Sequence, residues 1–98
     1  MTRRLAQAWW QVEQAGLVRI GLTDETLDYF QRVNFIDGPL VGAQVSATWP
    51  CIQVEAESTN TDLTLPLSGQ IVARNDQVLN HLQPALTTKT WLFKIKPQ

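Results

Sequence analysis

The hydrophobic period changes several times along the chain. Leu5, Ala8, Trp9 and Val12 fit one face of a helix, whereas Trp10 and Val12 alternate with polar neighbours as in a strand. The pattern alone leaves this first segment open. After Gly16 the run "LVRIGL" is short, apolar and β-branched, and predicts a strand. "TDETLDYFQRV" predicts a short helix near residues 23–33, with Thr23 as the cap, Asp24 and Glu25 against the positive end of the dipole, and Leu27 and Phe30 as an inward stripe. Beyond it the pattern is β. "NFI" leads into a "DGP" turn, and "LVGAQVSA" leads into a strand from about Pro50 to Glu55. "VEAESTNTDLTLPLSG", residues 54–69, has the form of a β-hairpin with Ser58, Thr59 and Asn60 at its tip. In "LSGQIVAR" Ile71 and Ala73 alternate with polar positions, while "NDQVLNHLQPALTTKT" is too polar, and too interrupted by Pro84, for a long helix. "WLFKIK" predicts a strand with Trp91, Phe93 and Ile95 on one face and Lys94 and Lys96 on the other.

Many short strands with turns between them indicate a mainly β sandwich or flattened barrel. Ile20, Ile52, Val54, Ile71, Trp91 and Phe93 are its expected core. A faint echo between "LVGAQVSA" and "LSGQIVAR", each with a Gly and a Gln before a β-branched residue, hints at two similar half-sheets. The 98 residues, 44% of them apolar and four of them tryptophan, suffice for one domain with one core.

Charge and composition then narrow the function. A formal charge of −1 argues against electrostatic binding of nucleic acid, and the basic runs "TRR" and "KIK" are short enough to be solvated ends. No apolar run approaches the ~20 residues of a membrane span, and "MTRRLAQAWW" lacks the apolar stretch of a secretory signal, so a soluble, cytoplasmic protein is expected. The one cysteine, Cys51 in "WPCIQVE", cannot pair within the chain and reads as a small buried hydrophobe.

Catalytic chemistry finds little support. A nucleophilic triad needs a base, and the one histidine, His81, lies in a polar stretch and reads as a surface residue. One Cys and one His make no Cys/His zinc site. Glu55 and Glu57, two apart on a strand, share a face and read as a solvated acidic edge. "IDGP" and "LSG" are turns rather than phosphate loops. No enzyme, no metal and no bound cofactor are expected.

The hairpin supplies the positive signal. "VEAESTNTDLTLPLSG" resembles the lipoyl-carrying hairpin of the glycine cleavage system H-protein family, whose pattern is close to V-E-S-x-K-x-x-x-D-x-x-x-P-x-S-G. Val54, Glu55, Asp62, Pro66, Ser68 and Gly69 match it without a gap. "VRIGLTDETLDYF" is similar to the family's strand-to-helix entry, "GAQV" to its Gly-Asp-x-Val turn, and "WLFKIKP" to its last strand. Trp10 falls where the family has a tryptophan on its first strand, which favours strand for the amino-terminal segment. The resemblance implies a lipoyl-type hammerhead: two small antiparallel sheets with a carrier hairpin at one end, as one domain over residues 1–98.

In that family lipoate is held in an amide on a lysine at the hairpin tip, and the arm visits the decarboxylase, the aminomethyl transferase and the dihydrolipoamide dehydrogenase. Ser58 stands at the lysine position. Its hydroxyl lacks both the amine and the four-carbon stem, and Thr59 and Asn60 are no better. Lys89, Lys94 and Lys96 all belong to the carboxy-terminal segment, and none is expected at a projecting turn. The resemblance also implies a carboxy-terminal helix that the chain, ending at Gln98, does not contain. A bare apolar face near the last strand is then expected, covered by a partner or by a second copy. The function expected is a non-lipoylated interaction module that docks on a glycine cleavage component or a lipoate-attaching enzyme. Glu55, Glu57, Thr59, Asn60 and Asp62 are its candidate docking residues, unless Glu55 and Asp62 serve hairpin geometry. The alternatives are a true carrier that uses another lysine, and a structural module with no carrier-related role.

Overall fold

The computed structural model describes residues 8–98. Leu5 and the "TRR" run, on which two of the expectations above rest, lie outside the described residues. Strand β1 (Trp9–Gln14) turns into β2 (Leu17–Leu22) through Ala15 and Gly16, with φ of 55° and 78°. Two residues at positive φ are what a two-residue hairpin loop needs to match the twist of its strands. The first segment is therefore a strand.

Helix α1 (Asp24–Phe30) starts as expected: Thr23 Oγ1 accepts from the Thr26 amide at 3.3 Å, and Asp24 and Glu25 occupy the first turn. Phe30 is fully buried and Leu27 packs against the core. So is Thr26, whose hydroxyl donates to the carbonyl of Ala8 at 3.0 Å and ties the helix to the start of β1. Six strands follow the helix before the last: β3 (Val33–Asp37), β4 (Gln44–Val45), β5 (Ile52–Ala56), β6 (Asn60–Leu63), β7 (Gly69–Arg74) and β8 (His81–Leu82), and β9 (Trp91–Pro97) closes the chain's strand order.

They form two antiparallel sheets, one in the order β1-β2-β9-β7-β4 and the other β6-β5-β3-β8. The sheets face one another as a sandwich and do not close into a barrel. Between them lie Ile20, Ile71, Phe93 and Ile95 from the larger sheet and Ile36, Ile52 and Val54 from the smaller, all essentially inaccessible. Two polar contacts also cross between sheet regions. Trp9 Nε1 donates to Thr64 O at 2.9 Å. The Arg74 guanidinium, largely buried, reaches Asp37 and Asp76 at 2.7 Å each and the carbonyls of Gly38 and Pro39.

Four expectations are corrected. Trp91 is half-buried, not a core residue, because the β2–β9 register shifts between Ile20 and Gly21: Ile20 pairs with Phe93, but Gly21 pairs with Trp91. The extra residue, Leu92, turns into the core in its place, and Trp91 shares a face with Lys94. The two echoed segments do not lie in separate half-sheets. β4 and β7 are direct neighbours, with Gln44 opposite Gln70 and Val45 opposite Gly69. Cys51 is half-buried rather than fully buried. The face near β9 is not a bare apolar patch, since Lys94 and Lys96 stand on it; among the described residues the exposed large hydrophobics are Val12, Tyr29, Leu40, Val41, Trp49 and Leu82. The segment 75–90 is, as expected, not a long helix, although Val78 and Leu79 in it are buried.

Candidate functional site

Strands β5 and β6 build the hairpin, with Ile52 opposite Leu63, Gln53 opposite Asp62, Val54 opposite Thr61 and Glu55 opposite Asn60. Ile52, Val54, Ala56 and Leu63 point inward and are buried, so one face is fixed by the core and the register cannot slip. Gln53, Glu55, Asn60 and Asp62 are left on the outer face, all exposed. Each carboxylate faces an amide side chain across the strands, which avoids like charges directly opposite one another. A shallow hollow of about 300 Å³ runs over these residues.

The tip is Glu57, Ser58 and Thr59, closed by the Ala56 amide donating to Thr59 O at 2.9 Å. Glu57 and Ser58 are exposed and Thr59 is half-buried. The tip is braced from below: the Glu57 amide donates to Arg32 O at 2.8 Å and the Ser58 amide to Phe30 O at 3.5 Å. Both acceptors lie at the end of α1, where carbonyls need partners from outside the helix. Gln31 between them has φ 61° and ψ −117°, a turn that swings the chain from helix into β3. The hairpin thus presents Ser58 from a fixed platform. The sequence placed the tip one residue late: Asn60 pairs with Glu55 as the first residue of β6, and Glu57 joins Ser58 and Thr59 in the turn. The brace left no trace in it, because backbone carbonyls give no side-chain signal.

The exit of the hairpin acquires a physical reason as well. Ser68 Oγ accepts the Ala47 amide at 2.9 Å, which joins the hairpin's return to the β4–β5 loop. Gly69 lies so close to β9 that a Cβ there would sit 2.2 Å from Lys96 O. Both residues were legible only as members of a pattern.

Of the remaining candidates, His81 is apart from the hairpin and Cys51 directly precedes it. His81 is exposed on β8 and its Nε2 lies 2.8 Å from Asp76 O. Cys51 lines a cleft of about 460 Å³ with Trp49 and Pro50, adjoining the hairpin hollow through Gln53 and Asp62, and burial pushes its thiol pKa up. Among the described residues no three His, Cys, Asp or Glu side chains gather as a metal site, and the ion pairs are those of Arg74. Nor is any helix among them long and apolar enough to cross a membrane. One expectation about the lysines is corrected: Lys89 is exposed in the tight turn from Thr87 to Thr90, whose ends are joined by a 3.1 Å backbone bond.

A two-sheet sandwich with a braced hairpin presented at its surface is a domain of the H-protein type. The model of the glycine cleavage H-protein family matches residues 2–98. The chain is 33% identical over 91 residues to the glycine cleavage system H protein of Azoarcus sp. (strain BH72), covering 91% of this chain and 72% of the relative. It is 33% identical over 92 residues to that of Teredinibacter turnerae, covering 91% and 71%. The crystal structure of a glycine cleavage system H protein from Mycobacterium marinum superposes with a TM-score of 0.79 at 31% identity, over 94% of this chain and 80% of that one. The chain belongs to the glycine cleavage H-protein family.

Proposed function

We propose that this chain is an H-protein-like interaction module that does not carry lipoate. The observation that carries the reading is Ser58, exposed at the tip of a hairpin whose sequence resembles the family's carrier hairpin. The tip does not fit the prosthetic group. A serine hydroxyl with no base beside it is a poor acyl acceptor, and Thr59 and Asn60 offer no amine. No catalytic step is assigned to the module.

What the hairpin retains is a surface. Glu55 and Asp62 on its outer face, with Glu57, Thr59 and Asn60 around the tip, form an acidic and amide-rich patch on a braced backbone. Its proposed partner is a protein that normally receives an H protein: a glycine cleavage component or a lipoate-attaching enzyme. The module competes for that partner without being charged. A specific observation favours a second reading, a carrier that uses another lysine, because Lys89 stands in an exposed turn.

Intact-mass spectrometry after incubation with lipoate, ATP and a lipoate ligase separates the readings. Wild type is expected to keep its mass, and Ser58→Lys to gain lipoate in part. The new lysine would have a pKa of about 10.4, so a small neutral fraction is available to the activated acyl donor at neutral pH. Glu57 beside it departs from the apolar residue common in the family, and partial charging follows from that. Lipoylation of the wild type would overturn the non-carrier reading, and its mapping to Lys89 would establish the second. Failure of Ser58→Lys would mean that more than the lysine is missing.

A further inference from the structure

The outer face of the five-stranded sheet carries a set of residues that neither the core nor the hairpin uses. Trp10 stands beside Gly21, and Gly21 beside Trp91; in the next row stand Val12, Arg19 and Lys94. Lys96 follows two residues on along β9, opposite Gln70. Two backbone features create the first row. A Cβ at Gly21 would lie 2.3 Å from Trp10 Cζ2 and 2.4 Å from Thr90 O, so the missing side chain is what lets the indole lie across the strand. The bulge at Leu92 then brings Trp91 out onto the same face. Each indole is accompanied by a cation: Arg19 Cζ lies 5.9 Å from the Trp10 ring centroid, and Lys94 Nζ lies 5.4 Å from that of Trp91.

The charge on this face is mainly positive. Arg19, Lys94 and Lys96 are on it, and of the chain's nine acidic residues Asp76 alone borders it, lining a hollow with Trp91 at one end. Glu13 on β1 pairs with the inward-facing Val18, so it lies on the other side of the sheet. Asp76, just past the end of β7, is exposed beside Trp91, and its charge is offset by the Arg74 guanidinium at 2.7 Å. The other carboxylates are on α1 and the hairpin, apart from Asp37, the second partner of Arg74. A chain whose formal charge is only −1 thus gathers three cations on this face, with one arginine-paired carboxylate at its edge.

Two half-buried indoles with cations over them, on a sheet face away from the core, offer a rigid, amphipathic contact area, although Trp10 Nε1 itself is buried. Tryptophan and arginine are the residues enriched where binding energy concentrates in protein interfaces. A complementary surface has carboxylates to meet Arg19, Lys94 and Lys96, and apolar side chains to cover Trp10, Val12 and Trp91. Nucleic acid fits less well, because the chain as a whole is negative. We propose that this face, centred on Trp10, Arg19, Trp91 and Lys94, is a docking surface for an acidic, apolar-studded segment of a protein partner. It is independent of the hairpin and of lipoate.

The test is an NMR titration of the 15N-labelled chain with a designed amphipathic peptide of Glu and Leu at helical spacing, beside its Gln-for-Glu counterpart. The indole signals of Trp10 and Trp91 and the amides of Arg19 and Lys94 are expected to shift saturably. The Gln peptide, and the Arg19→Glu/Lys94→Glu variant with the Glu peptide, are each expected to bind at least about tenfold more weakly. The comparison of the two peptides on the wild type decides the matter by itself if the variant does not fold. Equal binding of both peptides, no binding, or shifts gathered at the hairpin or at Leu40, Val41 and Trp49 would overturn the proposal. So would saturable binding of oligothymidine or of phosphatidylserine vesicles at this face, or the same shifts arising on concentration of the chain alone.

Discussion

Replacing Gly69 with alanine tests whether the end of the hairpin motif is set by packing. The added Cβ would lie 2.2 Å from the carbonyl oxygen of Lys96 and 3.0 Å from Ile95 Cγ2. Even a tight non-bonded contact needs about 1 Å more than the first of these distances. The obstacle is backbone, and it belongs to β9, which is hydrogen-bonded to β2 on one side and β7 on the other. Neither rotation of a side chain nor a free strand edge can relieve the clash. The cost is therefore placed at the upper part of the range for overpacking, about 3 kcal/mol. Against a total stability of about 5–15 kcal/mol for a domain this size, that is a large share. It corresponds to a fall in Tm of about 12–24 °C, at roughly 4–8 °C per kcal/mol. Gly42→Ala is the control: φ is +95° there but nothing lies within 4 Å, so only backbone strain of about 1–2 kcal/mol is expected. Urea and thermal denaturation of both variants give the difference. If Gly69→Ala loses no more stability than Gly42→Ala, the close approach of β7 and β9 is not what holds a glycine at this position.

Two further outcomes follow from the core and from the cleft beside it. Phe93 is fully buried between the sheets, and Phe93→Ala is expected to cost about 3–5 kcal/mol, read by urea denaturation; a loss below about 1 kcal/mol would mean that the core is not centred there. The Cys51 thiol has its pKa raised by burial, so the native state holds its proton at a pH where the unfolded chain has lost it. Stability is then fully present below the ordinary thiol pKa and falls as pH rises towards the raised one, and Cys51→Ser should flatten that fall. Alkylation of native Cys51 by iodoacetamide should likewise lag behind that of the urea-unfolded chain at the same alkaline pH, and equal rates would contradict the burial.

Much of the fold was legible because local chemistry and global packing agree. Thr23, Asp24 and Glu25 mark the start of α1 from the sequence, since capping and dipole effects act within one turn. The inward residues of β5 follow from alternation, and the hairpin from its turn and its resemblance. On β7 alternation holds only as far as Ile71, because a register shift between Ile71 and Ala73 puts Ala73 opposite Lys94 and leaves it half-buried. Alternation failed on β9, where it put Trp91 in the core. A bulge shifts the face of every residue on one side of it, and nothing in "WLFKIK" encodes where the extra residue falls; the register with β2 decides that. The same limit hid Val78 and Leu79, buried within a polar segment, and turned the echo of β4 and β7 from two half-sheets into one pair of neighbours.

The sequence by itself determined the family, the positions of most elements, and the burial of Ile20, Ile52, Val54, Ile71 and Phe93. These are properties of residue identity and spacing along one strand or one turn. Only the tertiary structure decided that the hairpin tip is braced on the carbonyls of Phe30 and Arg32, that Gly69 is pressed against β9, and that Lys89 stands in an exposed turn. It alone also gathered Trp10, Arg19, Trp91 and Lys94 onto one face from three strands. Each of these depends on which backbone lies beside which. Strand order and register fix that through contacts between residues far apart in the chain, and no local pattern carries the information.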